Sequence, residues 1–149
     1  MVRLSAKTEY ALRAMMDLAM HPTVRTTLPA IAERQGIPRK FLPTVLHSLI
    51  QAELVHSIRG YGGGVELSGD PAKITIRQII ESVEGPQQLY DCDFRGNDCI
   101  HQNDCKLRNV LERAGDAMLG VLGEATLADL VPATECANCE KELVSTENN

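Results

Sequence analysis

The stretch from residue 28 to residue 67 limits the possible folds more than any other part of the chain. Two short segments with apolar residues at helical spacing are joined by Gln35-Gly36-Ile37-Pro38, and a run from Gly60 to Gly64 then separates two β-prone segments. Gly36 can adopt the left-handed conformation that ends a helix, and Pro38 resists further helix. A hairpin that follows two helices joined by a glycine turn is typical of a winged helix-turn-helix.

Apolar periodicity predicts the remaining elements around this unit. An amphipathic helix is expected over residues 6–20 with Ser5 as its cap, and a second over 28–35 with Thr27 as its cap. A third should run from about 39 to 52 with Phe41 in its buried stripe, or start nearer Leu42, because Pro43 disturbs the first turn. Strands are predicted over 54–58 and 65–67, and further helices over 74–83, 107–122 and 126–131.

The predicted fold class is therefore mainly α with a small β-hairpin wing, a winged helix-turn-helix followed by a long dimerisation helix. The expected parts are a DNA-binding head (1–70), a connecting helix (71–85), a cysteine-containing loop (86–105), a dimerisation helix with a short return helix (106–132) and a flexible tail (133–149). A loop of that length without periodicity is uncommon in a compact domain and indicates a functional segment.

The charge is distributed unevenly along the chain, although the net charge is −5. Residues 1–70 carry eight basic and six acidic residues, a net +2, whereas residues 71–149 carry seven basic and fourteen acidic residues, a net −7. The basic half could approach phosphate while the acidic half stays away from it. No apolar run is long enough for a bilayer and no secretory signal is visible, so a cytoplasmic protein without a membrane partner is predicted.

Five side chains are the candidates for contacting a double-stranded DNA operator. Arg39, Lys40 and Thr44 lie at the start of the expected recognition helix, where side chains reach base edges and phosphates in the major groove. Arg59 and Tyr61 lie at the glycine-rich wing, where an arginine can enter the minor groove. The simpler alternatives are a solvated helix face and an ordinary hairpin turn.

All five cysteines lie in the second half of the chain, and their odd number argues against a disulfide framework. Cys92, Cys99 and Cys105 are separated by six and five residues in a polar segment, which favours a soft metal or an iron–sulfur cluster. Zinc held by these three and His101, or a thiol redox switch, remains an alternative. The Cys-x-x-Cys formed by Cys136 and Cys139 is interpreted as accessory.

Four segments together match a known pattern: LSAKTEYALRAMMDLA (4–19), IAERQGI (31–37), VHSIRGYGGG (55–64) and ITIRQIIESVEG (74–85). With these motifs the chain resembles the Rrf2 family of bacterial transcriptional regulators from Val2 to about Pro132. The family includes cluster-assembly regulators, nitric-oxide sensors and iron regulators. The resemblance implies a homodimer built on the long helix and a cluster, 2Fe-2S or 4Fe-4S, bound by three cysteines of the loop.

The resemblance also implies which residues would hold the cluster. The three cysteine ligands would be Cys92, Cys99 and Cys105. Some members use a histidine three residues after the third cysteine, where this chain has Arg108. Others use a carboxylate of the first helix at the position that matches Glu9, so Glu9, contributed by the partner subunit, is the expected fourth ligand. His101 and Asp104 are the next candidates.

The predicted function is a DNA-binding transcriptional regulator, a repressor, controlled by an iron–sulfur cluster that senses nitric oxide, iron or redox status. The alternative is a regulator of the same fold without a cluster, which acts through thiol redox chemistry, zinc or an enzyme partner. An enzyme is not expected, because no nucleophile–base pair or cofactor fingerprint is present outside the cysteines.

Overall fold

The computed structural model describes residues 4–22, 25–88 and 105–132. Within these ranges the α-helices are α1 (Ala6–Met20), α2 (Leu28–Gln35), α3 (Leu42–Gln51), α4 (Ile76–Glu84) and α5 (Lys106–Glu124). Strands β1 (Val55–Ile58) and β2 (Gly64–Leu67) lie between α3 and α4, and 3-10 turns are formed by Pro71–Lys73 and Ala128–Leu130. The helix predicted over 126–131 is therefore only the second of these 3-10 turns.

The bounds of α1 and α2 are those predicted, because capping signals at their ends are local. The Ser5 side chain accepts a hydrogen bond from the Thr8 N–H at 3.2 Å. Gly36 ends α2 in the left-handed conformation, with a φ of 62°, which other residues rarely adopt. Thr27 occupies the cap position of α2, but its side chain makes no capping hydrogen bond.

The third helix begins at Leu42, the later of the two predicted starts, with Pro43 as its second residue. The segment before it forms a turn in which the Phe41 N–H donates to the Pro38 carbonyl at 2.9 Å. The prediction that Phe41 belongs to the buried stripe is wrong, since this side chain is 45% exposed and lies just before the helix. The buried face of α3 begins one residue later, with Leu42, Val45, Leu46 and Leu49.

The hairpin is antiparallel, with Val55 paired to Leu67 at one end and Ile58 paired to Gly64 at the other. A single residue before α2 extends this sheet, because Thr26 forms an antiparallel bridge with Val65. A second bridge, Thr75 with Thr126, ties the start of α4 to the chain that leaves α5. Neither bridge was predicted from the sequence.

The core lies where α1 packs against α3 and α4, with the hairpin closing one side. Small residues on α1 allow close approach, and branched or long apolar side chains fill the space between the helices. The central buried side chains are Ala11, Ala14, Met15 and Leu18 of α1, Val45 and Leu49 of α3, Val55 and Val65 of the hairpin, Ile79 and Ile80 of α4, and Leu127.

Helix α5 stands apart from this core along most of its length. It has nineteen residues, of which Gly115 alone is buried. Three large apolar side chains on it are more than half exposed: Leu107 at 61%, Val110 at 59% and Val121 at 66%. The helices of globular proteins are normally stabilised by burying such an apolar stripe, and within the described chain most of the stripe of α5 has no packing partner.

Candidate nucleic-acid interface and ligand site

The candidate base-reading residues are presented together at the start of α3. Arg39 and Lys40 lie in the turn before the helix rather than within it, and Thr44 lies in its first turn; all three are exposed. The Lys40 Nζ lies 4.9 Å from the centre of the Phe41 ring. That ring is 5.8 Å from the ring of Tyr10 on α1. The exposed Phe41 therefore supports a cation at the tip of the helix-turn-helix by a cation–π contact.

The wing residues are also open to solvent. Arg59 directly follows β1, and Tyr61 at the glycine-rich tip is fully exposed. Neither Arg59 nor the cations Arg39 and Lys40 forms an ion pair with any residue that the structure describes. Cations that protein carboxylates do not neutralise are available to phosphate.

Another arginine of the head, Arg34, holds two of its helices together. Arg34 of α2 donates two hydrogen bonds to the Asp17 carboxylate of α1, at 2.9 and 2.7 Å, and the Gln35 side chain donates a third at 3.1 Å. Burial raises the pKa of Asp17, but these hydrogen bonds and the charge of Arg34 outweigh it, so the pKa lies below its ordinary value of 3.8. This ion pair, of which Asp17 is fully buried and Arg34 partly exposed, fixes α2 against α1.

Glu9, the candidate fourth ligand, lies on the first turn of α1 with its side chain 54% exposed. Its carboxylate pairs with Arg13 one helical turn further on. Arg13 in turn donates a hydrogen bond to the Gln35 backbone carbonyl, at 3.3 Å, at the last residue of α2. One arginine thus joins the candidate ligand to the end of the first helix of the helix-turn-helix.

Of the three candidate cysteine ligands, Cys105 alone lies in the part of the chain that the structure describes. It is half-buried at the cap position of α5, where its Sγ accepts a hydrogen bond from the Arg108 N–H at 3.4 Å. The Arg108 side chain points elsewhere, within 3.7 Å of Glu112. Cys92, Cys99, His101 and Asp104 lie outside the described residues, as do Cys136 and Cys139. Within the described ranges, no three potential metal-binding side chains come together.

A further contact joins the first turn of α1 to the end of α4, just before the cysteine-bearing segment of the sequence. The Glu84 carboxylate accepts hydrogen bonds from the hydroxyls of Ser5 and Thr8. The hydrogen bond from Ser5, followed by that from Thr8, lowers the pKa of Glu84 below its ordinary value. The Lys7 ammonium adds a hydrogen bond to the Val83 carbonyl at 3.3 Å.

Reasoning from the sequence missed Arg13, Asp17 and Arg34. The four-residue spacing of Glu9 and Arg13 was a usable signal for the first, since such residues are neighbours on a helix. The Asp17–Arg34 pair had no such signal, because its members lie on different helices.

Two exposed cationic elements, the turn before α3 and the glycine-tipped hairpin, stand on one helical head, and this arrangement defines a winged helix-turn-helix DNA-binding protein. Comparison with known proteins gives the family. A sequence model of the Rrf2 family, described as an iron-dependent transcriptional regulator, matches residues 4–133. The chain belongs to the Rrf2 family and is a transcriptional regulator, not an enzyme.

Relatives within the family support this assignment along nearly the whole chain. The HTH-type transcriptional regulator NsrR of Bacillus subtilis is 35% identical over 136 residues, which cover 90% of this chain and 93% of that protein. The structure of CymR, the global cysteine regulator of B. subtilis, superposes with a TM-score of 0.75 at 32% identity, covering 87% of this chain and 96% of that one. T. potens IscR superposes with a TM-score of 0.70 at 32% identity, covering 87% and 85%.

None of the helices in the described part of the chain is both long and apolar enough to span a membrane.

The wing gives a direct test of the interface. Arg59→Ala is expected to lower DNA affinity on the order of tenfold or more at fixed salt, because Arg59 is exposed on the wing, forms no ion pair with the described residues and is therefore available for DNA contacts. Thermal unfolding and molecular mass should be unchanged. Fluorescence anisotropy with a labelled duplex measures the affinity, and an affinity equal to that of the unmodified protein would remove the wing from the interface.

Proposed function

We propose that this regulator is a homodimeric repressor whose DNA affinity is controlled by an iron–sulfur cluster held by Cys92, Cys99, Cys105 and the partner's Glu9. The observation that carries the proposal is the connection from Glu9 through Arg13 to the Gln35 carbonyl. Through these two contacts, a candidate ligand is connected to the helix-turn-helix that would read DNA. The match to a family model described as an iron-dependent transcriptional regulator supports an iron-containing group, and the likeness to NsrR and IscR agrees with it.

The described donors suit such a group chemically. Cysteine sulfur is the preferred ligand of iron–sulfur clusters, and the Cys105 Sγ lies at a helix N-terminus, where backbone N–H groups stabilise negative charge on sulfur. Glu9 adds a hard oxygen ligand on an exposed face. When bound, the cluster would supply iron that responds to nitric oxide, iron supply or redox status.

Glu9 has two alternative partners under this proposal. Paired with Arg13, its carboxylate helps to aim the guanidinium at the Gln35 carbonyl, next to the Gly36 turn that leads to α3. If the Glu9 carboxylate instead bound the cluster of the partner subunit, Arg13 would lose its counter-charge, and its guanidinium would be held less firmly at the Gln35 carbonyl. The two arrangements differ at the helix-turn-helix and therefore in DNA affinity, which is how one site changes binding at another.

The second subunit is expected on α5. Its apolar stripe, with Leu107, Val110 and Val121 more than half exposed, is suited to packing against the same helix of a second copy. Two such helices would bury each other's stripe and bring two heads to two half-sites of a duplex.

A second candidate function is favoured by the superposition on the cysteine regulator CymR. In that case the chain would act without a cluster, through thiol redox chemistry or an enzyme partner. The same fold would serve, and Cys105 would be a reactive thiol rather than a ligand.

The deciding experiment uses protein purified without oxygen. We expect about equal amounts of iron and sulfide per chain at cluster stoichiometry, visible absorption bands, and the mass of a dimer by sedimentation. Affinity for a duplex selected from a random pool should change by about five- to 150-fold when the cluster is removed or treated with nitric oxide. Protein without iron and sulfide whose DNA affinity follows thiol oxidation would instead establish the second candidate.

A further inference from the structure

Arg25 is an exposed cation that belongs to neither the recognition helix nor the wing, so the DNA contacts considered above give it no role. Among the described residues of the head, Arg13 and Arg34 form ion pairs, and Lys7 donates to a backbone carbonyl. The basic residues there that form neither an ion pair nor such a hydrogen bond are Arg25, Arg39, Lys40 and Arg59, and all four are exposed. Three of these four belong to the DNA interface of the proposed function.

Arg25 is held beside the wing by its neighbour Thr26. The Thr26 N–H donates to the Val65 carbonyl at 3.2 Å, and the Val65 N–H donates back to the Thr26 carbonyl at 2.9 Å. A side chain at Gly64 would place its Cβ 2.7 Å from the Thr26 oxygen, closer than real atoms approach. Glycine at position 64 therefore lets this segment lie against β2 as a one-residue third strand.

The face on which Arg25 lies follows from strand alternation. Thr26 and its partner Val65 are both 2% exposed and point into the core. Successive side chains of an extended segment point to opposite faces, so Arg25 points outward. The antiparallel bridge places it across from Glu66, whose carboxylate is bound to the His56 ring at 2.6 Å.

We propose that Arg25 binds a phosphate of the DNA backbone alongside the wing, and this inference rests on the proposed DNA-binding function. Arg25 lies between the wing and the start of α2, two elements that meet the sugar–phosphate backbone when a recognition helix enters the major groove. Because a phosphate contact carries no sequence information, Arg25 contributes affinity and register rather than base preference.

The test is the salt dependence of DNA binding. Arg25→Gln is expected to reduce the slope of log affinity against log salt by about 0.9, the value for one lost phosphate contact. At about 0.1 M salt this corresponds to an affinity loss of about five- to tenfold, equal for selected and random duplexes. Arg25→Lys should retain the slope because it keeps the charge.

Two matched variants separate this role from others. Lys73→Gln removes another exposed cation that pairs with no acidic residue in the described part of the chain, and it should leave the slope unchanged. Glu66→Gln tests whether Arg25 acts by ion pairing to the wing instead. An unchanged slope in Arg25→Gln, an equal loss of slope in Lys73→Gln, or the same affinity loss in Glu66→Gln would each overturn the assignment.

Two further variants separate failure of this inference from failure of the proposed DNA interface. If Arg39→Ala and Arg59→Ala also leave binding intact, the proposed DNA interface fails as a whole; if they weaken binding, only the role of Arg25 is lost.

Discussion

Cys105→Ser is expected to abolish incorporation of iron and sulfide, although the protein should still fold. Serine keeps an acceptor at the cap of α5, where the Cys105 Sγ receives the Arg108 N–H, so the helix start is retained. The hydroxyl is a hard, protonated donor in place of a soft thiolate, and it leaves one iron open to water. Cys92→Ser and Cys99→Ser should each have the same result, because the three thiolates supply most of the affinity.

The control for this series lies in the tail. Replacing Cys136 and Cys139 together with serine should leave iron content unchanged, since these residues are expected to be accessory. Glu9→Ala should shorten the lifetime of the cluster rather than prevent its formation, because a carboxylate is the weaker ligand of the four. Iron and sulfide assays on protein prepared without oxygen measure all five variants. Loss of iron in the tail variant, with retention in Cys105→Ser, would show that the ligands are the other cysteines.

The parts of the fold that sequence predicted well are those specified by neighbouring residues. Helices α1 and α2 have the predicted bounds because Ser5 and Gly36 act locally. The strands of the hairpin start and end within one residue of the prediction, since a glycine run separates two β-prone segments. The start of α3 was left between two positions, and Pro43 favoured the later one, at Leu42.

The parts that sequence did not predict depend on residues far apart in the chain. The Thr26–Val65 bridge joins single residues 39 positions apart in sequence, and a lone bridge has no periodicity to reveal it. Phe41 carries an apolar side chain at a helical position, yet it is used as a surface support for Lys40 beside Tyr10. In the candidate site, Cys105 followed from the spacing of the cysteines and Glu9 from a resemblance. The contacts of Arg13 and Asp17 instead required the packing of α1 on α2.

Arg34→Met is expected to destabilise the head by about 3 kcal/mol at pH 7, the lower end for removing one partner of a buried ion pair, and by more than Asp17→Asn does. The Asp17 side chain is fully buried and Arg34 is 39% exposed, so the two partners respond differently to the loss of the other. Without Arg34, a buried carboxylate retains the Gln35 amide and no counter-charge. Without the Asp17 charge, the partly exposed guanidinium can still turn to water.

The double variant Asp17→Asn/Arg34→Met decides whether this asymmetry is correct. It should be more stable than Arg34→Met alone, because the uncompensated buried charge is gone. The pH dependence has a defined sign: the folded-state pKa of Asp17 is lowered from 3.8, so the pair stabilises the native protein above about pH 4 and loses that contribution as pH falls further. In Arg34→Met the carboxylate is buried without a counter-charge, so protonating it should recover stability on acidification instead. Urea unfolding between pH 7 and pH 3 measures both effects, and a double variant no more stable than Arg34→Met would show that Asp17 carries no charge that needs Arg34.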